Sequence, residues 1–180
     1  VLVGSGWKHL LGVYSLLKVS GFVAGVAMTP LPNIYDGTQS LPSGVNLIGT
    51  HSGAFHCDEV LACALLRQLP EFQESSIVRT RDPEVLALCK IVVDVGGVYE
   101  PGKNRDDEHQ RGFTETMNAN KRTKLSSAGL IYKHFGKEIS SRLSESEEDD
   151  VLYHGIYDSF IEHIDGIDNG IEAFDGPKNY

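Results

Sequence analysis

The chain has 180 residues, 41% hydrophobic and 23% charged, a composition that fits one folded globular core and excludes a fibrous or wholly disordered polymer. Its formal net charge of -9 excludes coating of nucleic acid by a broadly basic surface, although a local basic groove or bound cations would still admit a polyanion. Cys57, Cys63 and Cys89 are odd in number and form no C-x-x-C pair, so free thiols in a reducing compartment are expected rather than a disulfide framework.

Residues 1–35 contain no Asp or Glu, and Lys8, His9 and Lys18 lie among the apolar residues that run from Leu10 to Val26. The lack of Arg sets this stretch apart from most mitochondrial transit peptides, and Lys18, Ser20 and several glycines interrupt any spanning helix. Residues 1–44 are therefore expected to be a leader or poorly ordered segment, with targeting as the alternative, and a first residue of Val is expected of an incomplete or processed end. The Pro/Gly/Ser-rich stretch Thr29 to Gly44 sets the boundary, and the domain is expected over 45–180.

Val45 to Thr50 predicts a short buried strand, and Glu59 to Leu69 a helix with Val60, Leu61, Ala64 and Leu65 at helical spacing. A second strand is expected over Ser76 to Arg81, then a short helix opened by Asp82 as cap and Pro83 as first residue and ending near Cys89. Lys90 to Gly96 predicts a third strand, apolar apart from Asp94, as for a strand buried on both faces. A long polar loop follows from Gly96 to Thr123. Ser126-Ser127 then opens a helix through Ala128, Ile131 and Phe135 that is expected to stop at Gly136. Ser144 to Asp150 reads as an acidic link, and Leu152, Ile156, Phe160, Ile164 and Ile167 as the apolar face of a last helix ended by Gly170. Strand alternating with helix predicts an α/β fold, a parallel sheet flanked by helices.

In such sheets ligands bind beyond the carboxyl ends of the strands, which draws attention to the loops there. His51, His56 and Asp58 follow the first strand, Asp94 ends the third, and Asp107, Glu108 and His109 lie in the loop after it. Carboxylates gathered without cations repel and raise one another's pKa, a conflict that bound metal removes. Imidazole with carboxylate suits Mn²⁺ or Mg²⁺, and two such ions would activate water and neutralise a phosphoryl group. Taken singly, a histidine at this spacing is also compatible with a structural or surface role, and Asp94 with a turn or cap.

Six blocks carry a resemblance: GTHSGAFHCDEVLACALL, IVRTRDP, IVVDVGGVYEP, DEHQRGFTETM, TKLSSAGLIYKHFG and FIEHIDGIDNGI, in order over roughly Val45 to Ile171. Together they resemble the MYG1 family, a branch of the DHH phosphoesterase superfamily. The resemblance implies a DHH-like domain and a two-metal phosphoesterase similar to RecJ-type nucleases and family II pyrophosphatases. It also implies 3′-to-5′ RNA exonuclease activity in mitochondrion and nucleus, with an RNA or other phosphodiester substrate and no membrane partner. Implied metal ligands are His51, His56, Asp58, Asp94, Asp107 and one or both of Asp165 and Asp168, for two Mn²⁺ or Mg²⁺ ions. Asp107, Glu108 and His109 stand at the catalytic signature, with His109 and Arg111 toward the phosphate.

Asp165 and Asp168 are three apart and share a helix face, so one would ligate and the other support it; turn chemistry around Asp168-Asn169-Gly170 is the alternative. Lys121, Arg122 and Lys124 fit a solvated face as well as a phosphate contact. Two departures stand out. Glu108 occupies the place of the first signature histidine, and the family's C-terminal substrate domain lies beyond Tyr180. Both motivate the alternatives of a catalytically weak or silent member or fragment; a pyrophosphate or oligonucleotide hydrolase is a further one.

Overall fold

The short apolar runs become strands of one six-stranded sheet in a computed structural model that describes residues 30–144 and 150–172. The strands are β1 (Ile34–Tyr35), β2 (Leu47–Thr50), β3 (Ser76–Arg79), β4 (Ile91–Val93), β5 (Tyr99–Glu100) and β6 (Arg105–Asp106), in the order β1-β3-β2-β4-β6-β5. All neighbours pair in parallel except β5 with β6, which form a hairpin. The α/β class is therefore as expected. Parallel neighbours need crossovers, which α1 (Cys57–Leu66) supplies between β2 and β3, and α2 (Pro83–Leu86) between β3 and β4.

Every residue of β2 is buried, which is why that run is apolar without alternation. Ile48, Ile91 and Val93 face Ala62, Cys63 and Leu66 of α1 and Ile131 and Ile139 of α3 (Ser127–Ser144). Leu47, Val78 and Val92 face the opposite way, onto Leu86, Cys89 and Val95. At about 1.5–3 kcal/mol per fully buried aliphatic side chain, these two layers fix the strand ends and hence the loops beyond them.

Several expectations shift. Ile34–Tyr35 joins the sheet beside β3, so the sheet takes in residues N-terminal of the boundary expected at 44, whereas 1–29 lie outside the described residues. The polar loop after Gly96 holds the β5–β6 hairpin, turned by Asn104 in the left-handed region (φ 54), and that hairpin extends the sheet. The helix from Ser127 does not stop at Gly136 but runs to Ser144. There the Tyr132 and Tyr153 rings stack with centroids 5.2 Å apart, and a Cβ on Gly136 would lie 2.8 Å from Tyr153 and 3.0 Å from Tyr132. That glycine serves close packing rather than termination.

The last helical stretch is α4 (Asp150–Ile156), a π-helical turn (Tyr157–Ile161) and α5 (Glu162–Asp168). Its buried face is Tyr153, Tyr157, Ile161 and Asp165, one position removed from the expected Leu152, Ile156, Phe160, Ile164 and Ile167, of which Phe160 and Ile167 are exposed. The two tyrosines carry the apolar surface because their rings pack on Tyr132. Of the acidic link, 145–149 lie outside the described residues. Among the described residues no helix is long and apolar enough to cross a membrane.

Candidate metal centre

His51 follows β2 directly and is buried. Its Nδ1 lies 3.0 Å from the Ser52 carbonyl oxygen. A carbonyl can only accept, so Nδ1 carries the hydrogen and the Nε2 lone pair faces the centre. His56 caps α1, its backbone N–H donating to Glu59 Oε1 at 3.3 Å. That same Glu59 oxygen accepts from Arg79 Nη1 at 2.8 Å, while Arg79 Nη2 donates to the carbonyls of Gly53 and Ala54 at 3.3 Å each. The guanidinium also lies 3.8 Å from the centroid of Phe55. One buried cation on β3 thus ties down the whole loop that carries the two histidines. Sequence reasoning placed Arg79 only in a strand; the available signal was a fixed charge in a segment that should be buried.

Asp94 leaves β4 with φ 56, a left-handed conformation that Asp tolerates better than most residues and that lifts its carboxylate out of the strand. Beyond β6, Asp107 is fully engaged: Oδ2 accepts from Gly97 N, and Oδ1 from His109 N and Nδ1, both at 2.9 Å. Its geometry orients His109, whose ring is exposed at the mouth. Glu108 turns inward instead. Its Oε2 accepts from Ser127 Oγ at 2.7 Å; the same hydroxyl lies 3.2 Å from the Asp106 carbonyl, and one hydrogen goes to the nearer, charged acceptor.

These side chains form three overlapping groups, each with its donor atoms within 4.8 Å of one another. His51, His56 and Asp94 make the first; Asp94, Asp107, Glu108 and His109 the second; Asp58, Glu108 and Asp168 the third. Among the described residues, His51 Nε2, both Asp58 oxygens, Asp94 Oδ2 and Glu108 Oε1 are buried without a hydrogen-bond partner. His51 Nε2 and Asp94 Oδ2 stand 3.2 Å apart, neither with a hydrogen-bond partner. Ligand atoms held at right angles about 2.1 Å from one cation stand about 3 Å apart. The donors are imidazole and carboxylate, so a divalent cation fits this cluster.

The electrostatics agree. Burial, then the charges of Asp58 and Glu108, pushes Asp94 up to about 8. Burial pushes Glu108 to about 7 against the opposing Ser127 hydrogen bond. Asp58 is raised by burial and then by Asp168, and Asp168 is itself raised by burial. Burial opposes the charge on His109, but its Asp107 hydrogen bond and the Glu108, Asp107 and Asp94 carboxylates outweigh it and hold the ring above its ordinary value. Ser127→Ala should raise Glu108 further and lower cation affinity about tenfold near pH 7, with a stability loss of about 1 kcal/mol; calorimetric titration with Mn²⁺ checks this, and unchanged affinity would refute the bond's role.

Asp168 therefore stands in the cluster and Asp165 does not. Asp165 is buried behind it, its Oδ1 accepting from Ser126 N at 3.0 Å and Ser126 Oγ at 2.7 Å and its Oδ2 from Tyr157 Oη at 3.2 Å. It secures the start of α3. Arg111 is exposed two residues past His109. Lys121 is held by Asp158 and Glu162, both at 2.7 Å, which gives it a structural partner rather than an open charge.

Residues 47–180 match a family model described as "Uncharacterised protein family (UPF0160)". The chain is 57% identical over 143 residues to a protein of Homo sapiens named MYG1 exonuclease, covering 74% of this chain and 38% of that protein. It is 56% identical over 137 residues to the Bos taurus protein of the same name, covering 71% of this chain and 36% of the relative. The "MYG1 protein YER156C" of Saccharomyces cerevisiae is 47% identical over 137 residues, 73% of this chain and 40% of the relative. The chain thus spans about two fifths of the length of these relatives. No solved structure matches it.

Proposed function

The chain belongs to the MYG1 exonuclease family, and from that premise we propose that it hydrolyses RNA from the 3′ end through a centre that holds two divalent cations. The observation that carries this is the set of buried, unpartnered donor atoms on His51, Asp58, Asp94 and Glu108, gathered at the carboxyl end of the sheet in a chain with nuclease relatives. His51, His56 and Asp94 would hold one cation; Asp58, Glu108 and Asp168 the other, with Asp94 and Glu108 shared through the middle group. When bound, such ions supply Lewis acidity, making water a nucleophile near neutral pH and neutralising phosphoryl charge.

The chain's own residues do the rest. Asp107 keeps His109 oriented, and its hydrogen bond with the neighbouring carboxylates favours the charged form of the ring, a hydrogen-bond donor at the mouth where a phosphoryl oxygen would arrive. Arg111, exposed beside it, is placed to add a second positive contact. The local cations and these two side chains supply the attraction that a net charge of -9 does not.

With RNA labelled at its 5′ end and Mn²⁺ present, the protein should generate a ladder that shortens from the 3′ end, with no cleavage in excess chelator. Immediate release of the labelled nucleotide would refute the polarity. Phosphate release from pyrophosphate with RNA left intact would select a small-substrate hydrolase. Glu108 favours one second possibility, slow turnover despite bound cations, which appears as a Mn²⁺-dependent rise in melting temperature without cleavage.

A further inference from the structure

We infer that the two ends of this centre select different cations: the Asp58–Glu108–Asp168 end takes a hard, oxygen-seeking ion, and the His51–His56–Asp94 end a transition-metal dication. The inference rests on the cluster being a metal centre, as proposed above.

The two ends differ in donor chemistry. One offers two imidazole nitrogens and a carboxylate, and the other three carboxylates and no nitrogen. Imidazole favours Co²⁺, Ni²⁺ or Zn²⁺, whereas an all-carboxylate set suits Mg²⁺, Ca²⁺ or Mn²⁺. The carboxylate end is more than an acidic surface patch. Asp58 is 2% exposed with neither oxygen hydrogen-bonded, and Glu108 is 5% exposed with Oε1 bare.

Ser127 fixes Glu108 through the other oxygen, so Oε1 is presented and not merely nearby. The side chain reaches both this group and the middle one, which makes position 108 the place where an oxygen or a nitrogen donor decides the character of that end. Excess negative charge there further favours an ion of high charge density. Three carboxylates against one dication leave a formal deficit that a trivalent ion would close.

Terbium(III), which seeks oxygen ligands, and Co²⁺ serve as probes on the purified protein, read by terbium luminescence and cobalt absorption. One Tb³⁺ per chain should bind alongside one Co²⁺ without mutual displacement. Glu108→His should weaken Tb³⁺ at least about tenfold and admit a second Co²⁺. Asp168→Asn, at an exposed position, should repeat the Tb³⁺ loss if Glu108→His disturbs folding, while His56→Ala should weaken Co²⁺ and spare Tb³⁺. Competition of the two ions for one place, or variants that weaken both alike, would overturn the selectivity and leave the metal centre standing. Binding of only one of the two ions would likewise overturn the selectivity, and binding of neither would take the metal centre down with it.

Discussion

Asp94→Asn is expected to raise the melting temperature of the cation-free protein above pH 7 and to weaken its stabilisation by Mn²⁺. Asp94 is buried, faces Asp58 and Glu108, and is pushed up to about 8 from an ordinary value near 3.8. Between those two values the folded chain keeps a proton that the unfolded chain has released. A raised carboxyl contributes its full stability below the unfolded pKa and loses it as pH climbs through the folded one. Cation-free wild type should therefore melt progressively lower from about pH 4 to 8.

Asn resembles the protonated form, is tolerated at φ 56, and keeps the shape of the side chain. At about 1.4 kcal/mol per pKa unit, and allowing that neighbouring carboxylates share the proton, the variant should gain on the order of 3 kcal/mol at pH 8, roughly 6–12 °C. Mn²⁺ at about a hundred times its dissociation constant should return about 2.7 kcal/mol per site to wild type and less in total to the variant, which loses the site that Asp94 serves. Thermal melts across pH, with and without Mn²⁺, read both arms. A full-size Mn²⁺ shift in Asp94→Asn would sink the assignment of Asp94 as a ligand, and an unchanged pH slope would sink its raised carboxyl.

Asp165→Ala and Asp168→Asn should separate a structural carboxylate from a ligand. Removing Asp165 strips the acceptor from Ser126 N, Ser126 Oγ and Tyr157 Oη, all buried, and empties the space against Gly129, where even a Cβ would collide with the carboxylate. With each orphaned buried donor costing about 1–3 kcal/mol and partial relaxation, a loss of about 3–4 kcal/mol is expected. The protein that remains folded should still bind its cations. Asp168 is exposed, so its Asn variant should cost under about 1 kcal/mol without cations yet lose one bound ion. Denaturant melts beside metal counting decide the matter: a stable Asp165→Ala that has lost an ion would invert the two roles.

The location of the centre was legible in the sequence because its residues follow apolar strands whose burial forces the chain to turn where His51 and Asp94 emerge. Parallel pairing follows from the alternation of strands and helices, but the strand order, and with it the convergence of Asp58, Asp94 and Glu108, is set by the fold, in which the β5–β6 hairpin leads into Glu108. The division of labour was not legible. Asp165 and Asp168 share a helix face and are equivalent by spacing alone. The π-helical turn and the Tyr153–Tyr157–Ile161 stripe set the rotation that sends one carboxylate into the start of α3 and leaves the other at the mouth.

Asp107, Glu108 and His109 likewise read as one signature, yet Gly97 and His109 occupy Asp107 while Ser127, nineteen residues on, turns Glu108 inward. Arg79 belongs with these: its charge in a buried strand is visible in the sequence, but its pairing with Glu59, twenty residues away, is not. By itself, then, the sequence determined the three central strands, the loops that bear donors and the types of those donors, because periodicity and burial are local properties. Tertiary structure decided which donors remain bare for a cation, because that depends on partners brought together from separate elements, and no single stretch of chain carries it.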